Sequence, residues 1–245
     1  VLELVLDRLA QFQEKSIRTI KKVKSAMIYP SVIMFVAVGI VTLLMMVVVP
    51  QFQTIFEQML RGAPLPGPTQ IVIGISELFS THPVLVLGGM GGTVGGLLLF
   101  KKTKIGAKTF DWLGLNVPAV RDVVGKSNIS RITRTFGTLM SSGVPILQAL
   151  QITRDTLSNT FFMKAMSNVH DSVRDGEAMA VQMGRETVFP TMVTSMVEIG
   201  EETGELPDML TRIADNYDED VDNAVAGMTS LIEPVMIVFL AVAVG

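Results

Sequence analysis

Three stretches of the chain are apolar with no charged residue to interrupt them, and they set the first expectation. From Ser31 to Val49 there are nineteen uncharged residues, with Ser31 and Thr42 the only polar side chains among them. At a rise of about 1.5 Å per residue a helix of that length crosses roughly the hydrocarbon core of a bilayer. Pro83 to Phe100 is also uncharged but carries six glycines, at Gly88, Gly89, Gly91, Gly92, Gly95 and Gly96. Glycine is tolerated in membrane helices, so the pattern still predicts a span. A third apolar run opens at Pro234 and continues to Gly245, which predicts the start of a third helix.

Outside these runs the apolar residues recur at helical spacing. Ile129, Ile132, Phe136, Leu139 and Met140 fall at steps of three and four, followed by a Ser141-Ser142-Gly143 stop and Pro145 as an expected first helical residue. Similar patterns cover Pro145 to Thr156, Thr160 to Val173, Ala178 to Met183 and Pro190 to Ile199, and a long one begins at Pro207. No alternating run bounded by hairpin turns is present, which argues against a strand-built domain. Between the first two spans, Ala63-Pro64-Leu65-Pro66-Gly67-Pro68 is expected to be non-helical, because proline removes amide donors and drives each preceding residue toward extended backbone.

Charge then orients the spans. Lys15, Arg18, Lys21, Lys22 and Lys24 precede the first, and Lys101, Lys102, Lys104 and Lys108 follow the second. The connecting segment has only Glu57, Arg61, Glu77 and His82. The excess of Lys and Arg beside membrane ends facing the cytoplasm puts both outer flanks inside and the connection in the periplasm.

Sliding the chain on itself exposes a repeat at an offset of 204 residues. It pairs Leu6, Arg8 and Ala10 with Leu210, Arg212 and Ala214, and Pro30, Ile33, Phe35, Ala37 and Val38 with Pro234, Ile237, Phe239, Ala241 and Val242. One repeat holds two spans, so the copies share orientation, as repeats related by an axis along the membrane normal do. The first copy is then the tail of a unit seen nearly whole in the second, and a first helical domain is expected ahead of Val1.

Composition narrows the chemistry. The chain is 49% hydrophobic and 18% charged, beyond the apolar share of an ordinary soluble domain. It has no cysteine, which excludes disulfides and thiolate metal sites, and its two histidines, His82 and His170, leave no histidine cluster. The net charge of −3 is unevenly placed. Gly125-Lys126-Ser127 has the ending of a phosphate-binding loop, but that pattern needs a glycine where Val120 stands, so Lys126 reads as a solvated residue before a Ser127 or Asn128 helix cap. The glycines of the second span lack the strand a dinucleotide fingerprint needs. Gly88, Gly92 and Gly96, spaced by four, instead present a face on which another helix packs closely.

Four segments are similar to those of the GspF/PilC family, the inner-membrane platform proteins of bacterial type II secretion systems and type IV pili. They are Val23-Lys24-Ser25-Ala26-Met27-Ile28-Tyr29-Pro30 with Val49-Pro50-Gln51-Phe52, then Ser142-Gly143-Val144-Pro145-Ile146-Leu147 with Ala149-Leu150, then Gly200-Glu201-Glu202-Thr203-Gly204-Glu205-Leu206, then Glu233-Pro234. The resemblance covers essentially the whole chain in order. It implies an all-α membrane protein with three transmembrane helices, the third truncated, and a cytoplasmic six-helix bundle that is part of a tandem parallel repeat. On this reading residues 1–28 end a first cytoplasmic domain, 29–50 and 83–100 are transmembrane helices, 51–82 is a periplasmic loop, 101–229 is the second cytoplasmic bundle and 230–245 begins the third span. The resemblance implies a non-enzymatic scaffold without cofactors, in the bacterial inner membrane, that couples a cytoplasmic assembly ATPase to pilin or pseudopilin subunits. Its expected partners are that ATPase, those subunits, other inner-membrane assembly components, membrane lipid and further copies of itself, with no nucleic acid.

Three groups of residues are candidate sites. Gly200, Glu201, Glu202, Thr203, Gly204 and Glu205 form a sharp break between helices, read either as a plain helical turn or as a partner-docking loop that presents Glu201, Glu202 and Glu205. The long helix after Pro207 carries Asp215, Asp218, Glu219, Asp220 and Asp222 beside an apolar stripe, whereas its counterpart carries Lys15, Arg18, Lys21, Lys22 and Lys24. The two helices are candidates to face each other, within one subunit or between subunits, and the acidic group is a candidate for a divalent cation. Tyr29, Pro30, Glu233 and Pro234 mark the openings of two spans, and Glu233 is either functional or a carboxylate at a positive helix end. The alternative function is a transporter or channel, which the spans disfavour because only Glu233, at an edge, is ionisable. No catalytic or metal-binding residue is expected.

Overall fold

The computed structural model describes residues 24–25, 27–60 and 67–244. The described residues are helical throughout with no strand, and three of their helices are long and apolar enough to cross a membrane. The molecule is an all-α membrane protein, divided into two compact units.

The membrane unit comprises Met27–Thr103 and Ile232–Gly245. Its first helix, α1 (27–43), runs through a π-helical turn at Leu44–Val48 into α2 (Val49–Leu60). Together they form the span Met27–Phe56, longer than the apolar run alone predicts because α2 continues past Pro50. Proline is tolerated there because it sits in the first turn after the π segment. α3 (Gly67–Thr81) and α4 (Pro83–Lys101) follow. The segment 51–82, expected as a loop, is thus largely two helices. Gly67 and Pro68, expected to be non-helical, open α3, since a proline in the first helical turn lacks an amide that has no acceptor anyway. Residues 61–66 lie outside the described set.

α3 packs on α2, α4 and the π turn. Where the π turn widens the helix, the buried Ser76 hydroxyl of α3 donates to the Met45 carbonyl at 2.5 Å. That bond joins two polar groups in a unit whose other faces are apolar. Elsewhere the spans present their side chains outward: Phe35 and Val84 are each 82% exposed, as lipid-facing residues are.

The second unit, Lys104–Leu231 with Val1–Ala26, holds the hydrophobic core. It contains α5 (Lys104–Asn116), α6 (Pro118–Ser141), α7 (Ile146–Asp155), α8 (Thr160–Arg174), α9 (Met179–Arg185), α10 (Thr191–Thr203) and the first part of α11 (Leu206–Val244). Six of these helices, α6 to α11, supply the fully buried residues. Ile132 and Phe136 of α6, Leu150 of α7, Phe162 and Val169 of α8, Met179 of α9, Val193 and Val197 of α10, and Leu210 and Ile213 of α11 meet in one cluster. Phe162 and Phe189 pack edge to face with centroids 6.3 Å apart. α5 lies outside this core, against α6 and α8.

The helix boundaries follow local chemistry. α6 begins at Pro118, earlier than the Ser127 or Asn128 cap the sequence suggests, and Gly125-Lys126-Ser127 lies inside it. Asn128 does not cap; its amide donates to the Val124 carbonyl one turn back. α7 starts at Ile146, with Pro145 as its cap residue. α8 is capped twice, by the Asn159 carboxamide oxygen accepting from the Phe161 amide at 3.0 Å and by the Asp111 carboxylate accepting from the Thr160 amide at 2.9 Å.

Candidate docking surface

The break between α10 and α11 is where the longest sequence match to a distinctive loop falls. α10 runs on through Thr203, so Glu201 and Glu202 sit in its last turn rather than in the loop, and Gly204 closes the helix in the left-handed conformation at φ 75°. Gly200 serves a different purpose. A Cβ there would stand 2.9 Å from the Leu206 Cα, so its bare backbone is what allows α11 to fold back against α10.

The three carboxylates divide into two kinds. Glu201 is half-buried and turns inward: its two oxygens accept from the amides of Met179 and Ala180, each at 2.8 Å. It is a cap for the N-terminus of α9, where unpaired amides and the helix dipole both favour a negative charge. Glu202, Thr203, Gly204 and Glu205 are exposed. Of the six residues in the candidate loop, two therefore have a structural task, and Glu202 and Glu205 carry its outward charge.

The acidic stripe of α11 meets basic residues of the same unit. Arg134, on α6, places its guanidinium against Asp215 at 2.8 Å and Asp218, with only 15% of its side chain exposed. Asp218 also accepts from the Ser130 hydroxyl. One turn and a half away Lys126 pairs with Asp220 at 3.4 Å. Glu219 points to solvent, and Asp222 is half-buried. The acidic helix is thus partly neutralised by α6. Of its expected basic counterpart, Lys15, Arg18, Lys21 and Lys22 lie outside the described residues, and Lys24 is exposed. Among the described residues no group of three His, Asp or Glu is arranged to hold a metal ion.

The span residues are placed as follows. At Gly88, Gly92 and Gly96 of α4 an added Cβ would meet nothing within 4 Å, so no helix of the described residues packs on that face. Tyr29 is exposed and Pro30 buried at the start of the first span. Glu233 and Pro234 are exposed within α11, where Pro234 leaves the Ser230 carbonyl without its i+4 amide. Sequence reasoning did not single out Asp111, Arg134 or Ser76. Arg134 could have been found, being a cation beside the apolar stripe of α6 and complementary to the acids of α11. Asp111 and Ser76 act across long stretches of chain and leave no local signal.

A helical bundle joined to apolar spans, with acidic corners and no convergent catalytic group among the described residues, defines a multi-span membrane protein of the assembly kind. The chain belongs to the family described as type II secretion system (T2SS), protein F, whose pattern matches residues 1–50 and 132–245. It is similar over its whole length to a type IV pilus assembly protein PilC of Myxococcus xanthus, at 38% identity and covering 58% of that protein, and to one of Thermus thermophilus, at 38% identity and 60% coverage. It is also 34% identical to a type II secretion system protein F of Aeromonas hydrophila, with 98% of the chain and 61% of that protein aligned. The chain spans about three fifths of the length of these relatives.

Proposed function

We propose that the chain is part of the inner-membrane platform of a type II secretion or type IV pilus machine, with its helical bundle on the cytoplasmic side, and that it couples an assembly ATPase to pilin-like subunits without chemistry of its own. The observation that carries this reading is the full-length similarity to proteins of both machines, on a fold made of a packed bundle and three apolar spans. Lysines flanking the spans support a cytoplasmic bundle, with the connection through α3 in the periplasm. The exposed Glu202 and Glu205 at the α10 to α11 corner are the docking residues in this scheme. Gly88, Gly92 and Gly96 form the face on which a helix of another subunit packs, consistent with a homo-oligomer. The basic residues Lys15, Arg18, Lys21, Lys22 and Lys24 meet the acids of α11 that α6 leaves exposed, chiefly Glu219, between subunits. Surface pairs of this kind orient partners more than they stabilise them.

The test is co-purification of the full-length protein from native membranes. An associated assembly ATPase or pilin-like protein is the expected result, and an associated permease substrate would count for the transporter reading instead. Reversing Glu202 and Glu205 to Lys should abolish secretion or piliation at normal membrane levels. Normal assembly by that variant would remove the corner as the docking site.

A further inference from the structure

We infer that α5 is an interfacial helix that lies in the headgroup layer of an anionic bilayer, and that it seats the helical bundle on the membrane surface. Its two faces are set apart by helical spacing. Ala107, Phe110, Asp111, Gly114 and Leu115 form one stripe, turned toward the bundle. Asp111 caps α8 from it, and a Cβ on Gly114 would touch Val124 of α6 at 3.7 Å. That attachment fixes the rotation of α5. The opposite stripe holds Ile105, 75% exposed, Trp112, 54% exposed, and the half-exposed Leu113, large apolar side chains with no bundle residue over them.

The polar residues of the outward stripe are adapted to a dry setting. The Thr109 hydroxyl donates to the Ile105 carbonyl at 2.9 Å and the Asn116 amide to the Trp112 carbonyl at 2.7 Å, so both spend their donors on their own helix. The one acid of α5 faces inward. The exposed cations Lys101, Lys102 and Lys108 border the apolar face, which suits an anionic headgroup layer.

Chain length supplies the location. Val84–Lys101 has eighteen residues, about 27 Å of helix, only just the depth of the hydrocarbon core. α5 begins three residues after Lys101, at most about 11 Å along the chain, so it leaves the span at the height of the headgroups. Indole is the side chain that favours that layer, apolar in body with one donor to satisfy.

Trp112 is the sole tryptophan, so its fluorescence reports this face alone. The full chain would be reconstituted in vesicles of phosphatidylethanolamine and phosphatidylglycerol, with and without brominated acyl chains, and iodide added outside. The expected result is blue-shifted emission, loss of most intensity to brominated lipid and little loss to iodide. In a Lys101→Gln, Lys102→Gln, Lys108→Gln variant with unchanged helicity, the loss to brominated lipid should fall sharply. Quenching by iodide and not by brominated lipid would overturn the inference. So would protection from both quenchers, which means a protein surface, such as a second copy, covers the face. Unchanged lipid quenching in the lysine variant would overturn the anionic recognition. The inference rests on α4 being a span, not on the platform role; retention in vesicles through alkaline extraction checks the span separately.

Discussion

A carboxylate that accepts two backbone amides at a helix N-terminus gains from both hydrogen bonds and from the helix dipole. Glu201→Ala is therefore expected to destabilise the bundle by about 1–2 kcal/mol, while Glu202→Ala, one position on and exposed, stays within about 0.5 kcal/mol. Thermal unfolding of the two purified variants checks this, and equal midpoints would refute the cap. The pair also shows why a loop motif is hard to interpret from sequence. Two adjacent glutamates are identical as letters, and only the position of α9, set by packing twenty residues upstream, decides which one turns inward. The glycines of the same segment separate in the same way. Gly200→Ala drives a Cβ to 2.9 Å from the Leu206 Cα and should cost about 1–3 kcal/mol through overpacking. Gly204→Ala forces a side chain into left-handed backbone, at about 1 kcal/mol or more.

At the scale of elements, α6 and α11 are held by apolar packing below and by the Arg134 pairs above. Arg134→Met keeps the length of the side chain but leaves Asp215 and Asp218 without their cation. The loss should be about 1–3 kcal/mol, toward the low end because Asp215 is half exposed to water. It should also shrink as salt is added, which measurement of unfolding at low and high ionic strength would reveal. The helices of the bundle were legible because each buries one stripe: Ile129, Ile132 and Phe136 mark α6 in the sequence as they do in the core. What was not legible was where α6 starts, since Pro118 opens it without a side-chain cap, and that residues 67–81 are helical. There the prolines were read as breakers throughout, although a proline in the first turn of a helix breaks nothing.

For the whole molecule, sidedness is the property that ties the spans to function, and the absence of cysteine makes it measurable without background. Ser80→Cys at the end of α3 should react with a membrane-impermeant maleimide in intact cells whose outer membrane is permeabilised. Ser158→Cys, exposed before α8, should react only after lysis. The reverse pattern would invert the topology. The π turn at Leu44–Val48 has a consequence for how such a span tolerates change. A π turn holds one residue more than the α-helix around it needs, so deleting a single residue there straightens the helix and rotates everything after it by about 100°. The face of α2 that meets α3 would then turn away, and the Met45 carbonyl would recover a helical donor and release Ser76. The first span is thus written in a frame that a single deletion shifts, and substitutions within Leu44–Val48 are expected to be far milder than the loss of any one of its five residues.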